Sequence, residues 1–196
     1  MCISDIISHM TDSGKTIVKY FGYGSNADKD MMVHMVGRED LKGEPGKLIG
    51  YQLCIQSLDQ IRDVVPPTST IKESPQQIIR GTFGDKFDLY IAVAKPDAVA
   101  HGTIWDLTPE EIDLVKEWEM VDYGMQEEVQ AMAMDSSGEL IQVETQAVVD
   151  PPAAYYAIIE DNDYPRFIAD REKMLKTADE NRQNYLKRLK EKATQS

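Results

Sequence analysis

Gly102-Thr103-Ile104-Trp105-Asp106-Leu107-Thr108-Pro109-Glu110-Glu111-Ile112-Asp113-Leu114-Val115-Lys116-Glu117-Trp118-Glu119 holds a strand, a helix start and a helix in one run. Gly102–Leu107 has the β-branched and aromatic residues of a strand. Thr108 is a good N-cap, Pro109 suits the first helical position, and Glu111 stands three residues after the cap. Together they form a capping box, which predicts a helix from Pro109 to about Met120. Helix residues advance by about 100° each, so Ile112 and Val115 share a face with Leu114 and Trp118 beside it. Glu110, Asp113, Lys116 and Glu117 point the other way, toward water. Glu119 follows Val115 by four positions and therefore projects from the apolar side. A carboxylate facing a core is costly when ionised and unpaired. Either Glu119 escapes to solvent or to a basic partner at a frayed helix end, or it lines an internal cavity. In the second case burial lifts its pKa and makes it a better proton acceptor.

Working back toward the N-terminus, Ile17, Val18, Tyr20 and Phe21 form a strand pattern that runs into Gly22-Tyr23-Gly24-Ser25-Asn26. Asp28–Val36 follows, with Met31, Met32, Met35 and Val36 on one face of a short helix that Gly37 ends. Glycines let a backbone approach a ligand closely, and a helix start offers free N–H groups to an anion or a polarised carbonyl. The alternative is an ordinary strand–helix turn capped by Ser25 or Asn26. The G-x-G-x-x-G spacing and a P-loop lysine are both lacking, so the turn is no nucleotide signature.

The rest of the chain supplies further strands. Lys47–Leu58 and Phe87–Ala94 read as strands, and Lys95-Pro96-Asp97 is expected to break the second before Gly102–Leu107 begins another. Val64–Arg80, rich in proline, serine and threonine, reads as a long loop or insertion. Met125–Met134 and Leu140–Val149 form a hairpin across Asp135-Ser136-Ser137-Gly138. Pro151-Pro152 marks an exit, and Pro165 opens a helical stretch that runs, with a break, to about Lys192. Residues 1–15 form either a tail or a short amphipathic helix, and residues 16–196 a single domain. Several strands with a few helices between them predict a mixed α+β fold with a strongly curved sheet or small barrel.

The 196-residue length fits one compact domain plus tails. The formal net charge of −13 disfavours nucleic acid, whose phosphates require a basic surface, and equally an electrostatic hold on an anionic membrane. Cys2 and Cys54 suggest no disulfide framework or metal pattern, and His9, His34 and His101 are scattered, so no metal or other cofactor is expected. No run is long enough to span a bilayer and no signal peptide is evident, which makes a cytoplasmic protein the expectation. The C-terminal helix offers a surface for a second copy of the chain.

These two sites together resemble the γ-glutamylcyclotransferase family. The resemblance rests on a first strand ending in Tyr-Gly-Ser, here Tyr20-Phe21-Gly22-Tyr23-Gly24-Ser25-Asn26. It rests also on a Gly-x-x-aromatic strand, here Gly102-Thr103-Ile104-Trp105, followed by a helix and then Glu119. Ile91–Pro96, Gly124 and Tyr185 fall where the family has a strand then proline, a glycine, and a late helical tyrosine. The resemblance implies a small barrel flanked by helices, Glu119 as general base, and a substrate loop of Tyr23, Gly24, Ser25 and Asn26. Tyr123 and Tyr185 are further candidates for substrate contact. The implied reaction is intramolecular attack of the α-amine of a γ-glutamyl compound on its γ-carbonyl, releasing 5-oxoproline and an amine or amino acid. Met120 stands where a glycine commonly follows the glutamate, and Gln126 where an aromatic residue is common. These departures leave two alternatives open: a non-catalytic binding module of the same fold, or a cyclotransferase acting on a γ-glutamylamine or a γ-glutamylated intermediate.

Overall fold

The structure, a computed structural model, describes residues 9–10, 16–61, 63–65, 72–148, 157–158 and 170–195. Its strands are β1 (His9–Met10), β2 (Thr16–Gly22), β3 (Gly43–Ser57), β4 (Asp88–Leu107), β5 (Glu127–Met134), β6 (Leu140–Ala147) and β7 (Ala157–Ile158). Its α-helices are α1 (Lys29–Val36), α2 (Pro75–Phe83), α3 (Pro109–Trp118) and α4 (Arg171–Gln195). Strands β2, β4, β3, β5 and β6 pair in that order, and β6 returns to β2 through a parallel pairing of Tyr20 with Glu144. The sheet therefore closes into a five-stranded barrel, with β1 paired to β2 and β7 to β3 outside the ring.

The alternation of β2 explains how one short strand serves two cores. Successive side chains of a strand point to opposite faces. Phe21 packs with Leu48, Leu53, Ala92, Ile104, Ala133 and Val143, one cluster drawn from every strand of the ring, and so fills the barrel. Tyr20 faces outward into a second cluster that joins Met32 and Met35 of α1 to Ile112 and Val115 of α3. Helix α4 then covers α1, with Met174 and Ala178 against Met31. Each fully buried Leu, Ile or Phe contributes roughly 1.5–3 kcal/mol relative to exposure.

Two expectations need correction. First, β4 is a single strand of 20 residues and does not break at Lys95-Pro96-Asp97. The ladder with β3 runs from Tyr51 opposite Ala94 to Ile49 opposite Val99, so residues 95–98 bulge out across from Gly50. Lys95, Pro96 and Asp97 are exposed there, where a proline withholds no ladder hydrogen bond. Second, the stretch read as a loop from Val64 to Arg80 contains most of α2. Ser74 caps this helix by accepting from the Gln77 backbone N–H, Gln77 answers the Ser74 N–H, and Pro75 occupies the first turn. At the amino end, His9–Met10 pairs antiparallel with Thr16–Ile17, which resolves the tail-or-helix alternative for those two residues as strand. Phe167 and Ile168, assigned to the C-terminal helix, lie outside the described residues; within them the helix is continuous from Arg171. No helix among the described residues is long and apolar enough to cross a membrane.

Candidate active site

The loop after β2 is held against the barrel by its own backbone. Asn26 offers its carbonyl to the Trp105 indole N–H at 2.8 Å, and Ala27 offers its own to the Thr103 hydroxyl at 2.9 Å. Gly22 is required for that approach: a Cβ there would lie 2.2 Å from the Asn26 carbonyl oxygen. Residues 24–27 then form one helical turn, after which Asp28 caps α1 by accepting from the Met31 N–H at 3.0 Å. The first N–H groups of such a turn have no partner within it and face whatever lies beyond.

Glu119 caps the carboxyl end of α3. Its backbone N–H closes the last turn onto Val115 at 2.9 Å, and Met120 then turns the chain sharply with φ 51°. Met120 is the only non-glycine residue with positive φ among the described residues. That conformation costs an L-residue roughly 1–2 kcal/mol and explains why a glycine would suit the position. The Glu119 side chain points inward, and the residue is 9% exposed. Of the two readings of this carboxylate left open by its spacing, the structure therefore has the internal one.

Its two oxygens are held by amides. Asn26 Nδ2 donates to Oε1 at 2.7 Å, and Gln126 Nε2 donates to Oε2. The donors are themselves held. Asn26 Nδ2 also donates to the Tyr20 hydroxyl at 2.9 Å, which in turn donates to Gln146 Oε1 at 2.7 Å. Gln126 Oε1 accepts from the Tyr23 hydroxyl at 2.7 Å, and that hydroxyl also lies 3.0 Å from the Gln146 carbonyl. Two neutral arms thus leave Glu119 and meet again at Gln146, with β2 and its loop on one side and β5–β6 on the other. Desolvation is the dominant effect on Glu119. It pushes the carboxyl up from 4.5 to about 7, while the Asn26 and Gln126 hydrogen bonds pull the other way. The result is a proton acceptor balanced near neutrality, with neither hydrogen-bond partner carrying a charge.

Glu119 opens onto a cavity of about 380 Å³. Tyr23, Gly24 and Ser25 form the wall beside it. Ile79 and Phe83 of α2 line it too, with Phe87 and Leu89 of β4 and its approach. Met174, Thr177 and Asn181 of α4 complete the enclosure. Asn26 is not among the lining residues; it is 3% exposed and holds Glu119 from behind.

Tyr123 and Tyr185 do not line this cavity either. Tyr185 packs on the cluster formed by α1 and α3, with the Arg188 guanidinium 5.7 Å from its ring centre. Tyr123 is half-buried in the single turn 121–123. Gln126, noted as a departure from the family pattern, does not line the cavity; it and Gln146, absent from the expected site, are 2% and 1% exposed and complete the two arms. The polar Gln126 between Met125 and a strand was visible in the sequence, but its direction was not. No group of three or more His, Cys, Asp or Glu among the described residues is placed to hold a metal ion.

No protein-family model matches the sequence, and a search of curated proteins gives no match. Solved structures do match. A γ-glutamyl cyclotransferase superposes with a TM-score of 0.54 at 14% identity, over 78% of this chain and 76% of that one. An uncharacterized human protein superposes with a TM-score of 0.50 at 15% identity, over 72% and 70% of the two chains. Identity this low speaks for architecture alone. The closed barrel, its flanking helices and these neighbours give the chain the γ-glutamyl cyclotransferase fold.

Proposed function

We propose that the protein is a γ-glutamylcyclotransferase-type enzyme with Glu119 as its general base. The observation that carries the reading is a buried carboxylate, lifted to about 7, sharing one cavity with the Tyr23–Ser25 backbone. The substrate's α-ammonium gives a proton to Glu119, and the freed amine attacks the γ-carbonyl carbon. A C–N bond forms and the carbonyl electron pair moves to oxygen, where N–H groups of the Gly24–Ser25 turn would face the developing charge. Glu119 gives its proton to the leaving nitrogen as collapse of that adduct breaks the bond to it; the regenerated carboxylate then takes the surplus proton from the positively charged ring nitrogen and passes it to the departing amine, which leaves as an ammonium. The products are 5-oxoproline and a free amine, with no net gain or loss of protons and no cofactor in the balance.

Two features suit this chemistry. A base near neutrality accepts a proton and returns it with small cost in either direction. A walled cavity holds an extended γ-glutamyl chain folded toward its own carbonyl, which converts a floppy cyclisation into an oriented one. The test is incubation of the protein with γ-glutamyl amides and dipeptides, following 5-oxoproline. Turnover that vanishes in Glu119→Gln supports the assignment; turnover unchanged in that variant removes Glu119 from the mechanism. Binding without product would instead mark a non-catalytic module.

A further inference from the structure

Gln146 Nε2 is buried without a hydrogen-bond partner among the described residues, although Gln146 closes both arms of the network around Glu119. A buried donor left unpaired is costly, and less tolerated than an unpaired carbonyl oxygen. The orphan follows from the direction in which one arm runs. An ionised Glu119 can only accept, so Asn26 turns Nδ2 to it. The same Nδ2 donates to the Tyr20 hydroxyl, which sends its own proton on to Gln146 Oε1. Gln146 is thereby held with its oxygen toward Tyr20 and its NH₂ unused.

A protonated Glu119 reverses the demand, because its O–H needs an acceptor. Turned over, Asn26 offers Oδ1 to Glu119 and to Tyr20 alike. The Tyr20 proton swings from Gln146 to that oxygen. Gln146, turned over as well, donates from Nε2 to the Tyr20 oxygen, and the orphan gains a partner. The Ser25 hydroxyl, which donates to Asn26 Oδ1 at 3.3 Å, accepts from Nδ2 instead. Reversing the Gln126 arm would bring no such gain, since Gln146 Nε2 takes no part in it. The charged residues sharing the cavity with Glu119 are Asp88 of β4, Glu117 of α3 and Glu180 of α4. Glu117 is paired with Arg188 and Glu180 with Lys176. Glu128 of β5 is engaged by Lys116, and Glu144 of β6 by Gln130. The hydroxyls of Tyr20 and Tyr23 reach Glu119 through the two amides.

From this geometry we infer that Tyr20 is a positioning residue for Glu119: through Asn26 and Gln146, its hydroxyl reverses direction whenever the carboxylate gains or loses a proton. Tyr20 does not line the cavity. As a role in catalysis this rests on the proposed cyclotransferase reading; the reversal itself is read without turnover. The experiment follows the side-chain amide signals of Asn26 and Gln146 and the Glu119 carboxyl carbon by NMR between about pH 5 and 9. In the wild-type protein both amides should shift with the midpoint of Glu119. Tyr20→Phe cuts the link: the Gln146 signals should stop following pH, and the Glu119 midpoint should fall, because protonation no longer pairs the orphan. Gln146→Leu removes the acceptor that holds Tyr20 in the ionised arrangement, so the midpoint should rise. Each shift should be about 0.7 pH unit, the equivalent of one net hydrogen bond. A merely structural role, in which either variant loosens the site and admits water, would lower the midpoint in both. Amide signals that stay flat through the wild-type titration, or midpoint shifts of the same sign in the two variants, overturn the inference. Coupled signals and opposite shifts without any release of 5-oxoproline would sink the enzymatic reading and leave the reversal standing.

Discussion

Replacing Glu119 by Gln separates the energetics of the site from its chemistry. In the folded chain the carboxyl titrates at about 7 and in an unfolded chain near its ordinary 4.5. Between those values the folded state keeps a proton that the unfolded state has lost. Stability from this group is therefore fully present below about 4.5, falls as pH rises, and levels off above about 7. The difference of roughly 2.5 units at 1.36 kcal/mol each amounts to about 3 kcal/mol. Glutamine is neutral throughout and removes the slope. It also fits: its NH₂ would confront one amide donor, but Gln126 can turn its amide over, presenting oxygen to position 119 and NH₂ to the Tyr23 hydroxyl. That hydroxyl still has the Gln146 carbonyl at 3.0 Å as acceptor. Urea unfolding of both proteins at pH 4.5 and pH 8 gives the difference directly. Glu119→Gln should gain about 3 kcal/mol relative to wild type between the two pH values while losing turnover. An unchanged difference between the two proteins would refute a carboxyl held out of water, whatever the activity assay showed.

Other outcomes follow from neighbouring contacts. The acid limb of kcat/KM should rise with pH through about 7, because in the proposed mechanism only ionised Glu119 accepts the proton; a limb near ordinary glutamate values would contradict that role. Gln126→Leu removes a donor that favours the charged carboxylate, so the limb should move to higher pH, read from the rate profile on the same substrate. Trp105→Phe leaves the Asn26 carbonyl without its indole donor and should cost about 1–3 kcal/mol in urea unfolding, with weaker substrate binding as the loop loosens. Gly22→Ala should cost roughly 3 kcal/mol or more, since the contact it forces is with backbone and cannot be relieved by a rotamer change.

The sequence carried the elements that are locally encoded. The capping box at Thr108–Glu111 announces α3 through side chains that answer backbone groups three residues away, and the structure has both hydrogen bonds. Glu119 was conspicuous because the helical period put a charge on an apolar face. Helix α2 carries the same kind of cap at Ser74–Gln77, but the surrounding Pro, Ser and Thr residues read as loop and hid it. The unbroken β4 was hidden for a different reason: its proline sits in a bulge, and a bulge is decided by the partner strand. Gln126 and Gln146 are the least legible. Their role depends on which strands meet, and composition around them says nothing about Tyr20 or Tyr23, more than a hundred residues earlier.

The barrel's last pairing, Tyr20 opposite Glu144, also has a kinetic meaning. Tyr20, Tyr23 and Asn26 reach the carboxylate network from one lip of that seam, and Gln126 and Gln146 from the other. A slip of one residue would displace the lips by about 3.3 Å and turn Gln146 to the opposite side of the sheet. A chain with every strand formed but the seam mis-set would look native by secondary structure and still lack the organised carboxylate network. Regain of turnover during refolding should accordingly lag behind recovery of the far-ultraviolet signal, making activity the most sensitive gauge of closure.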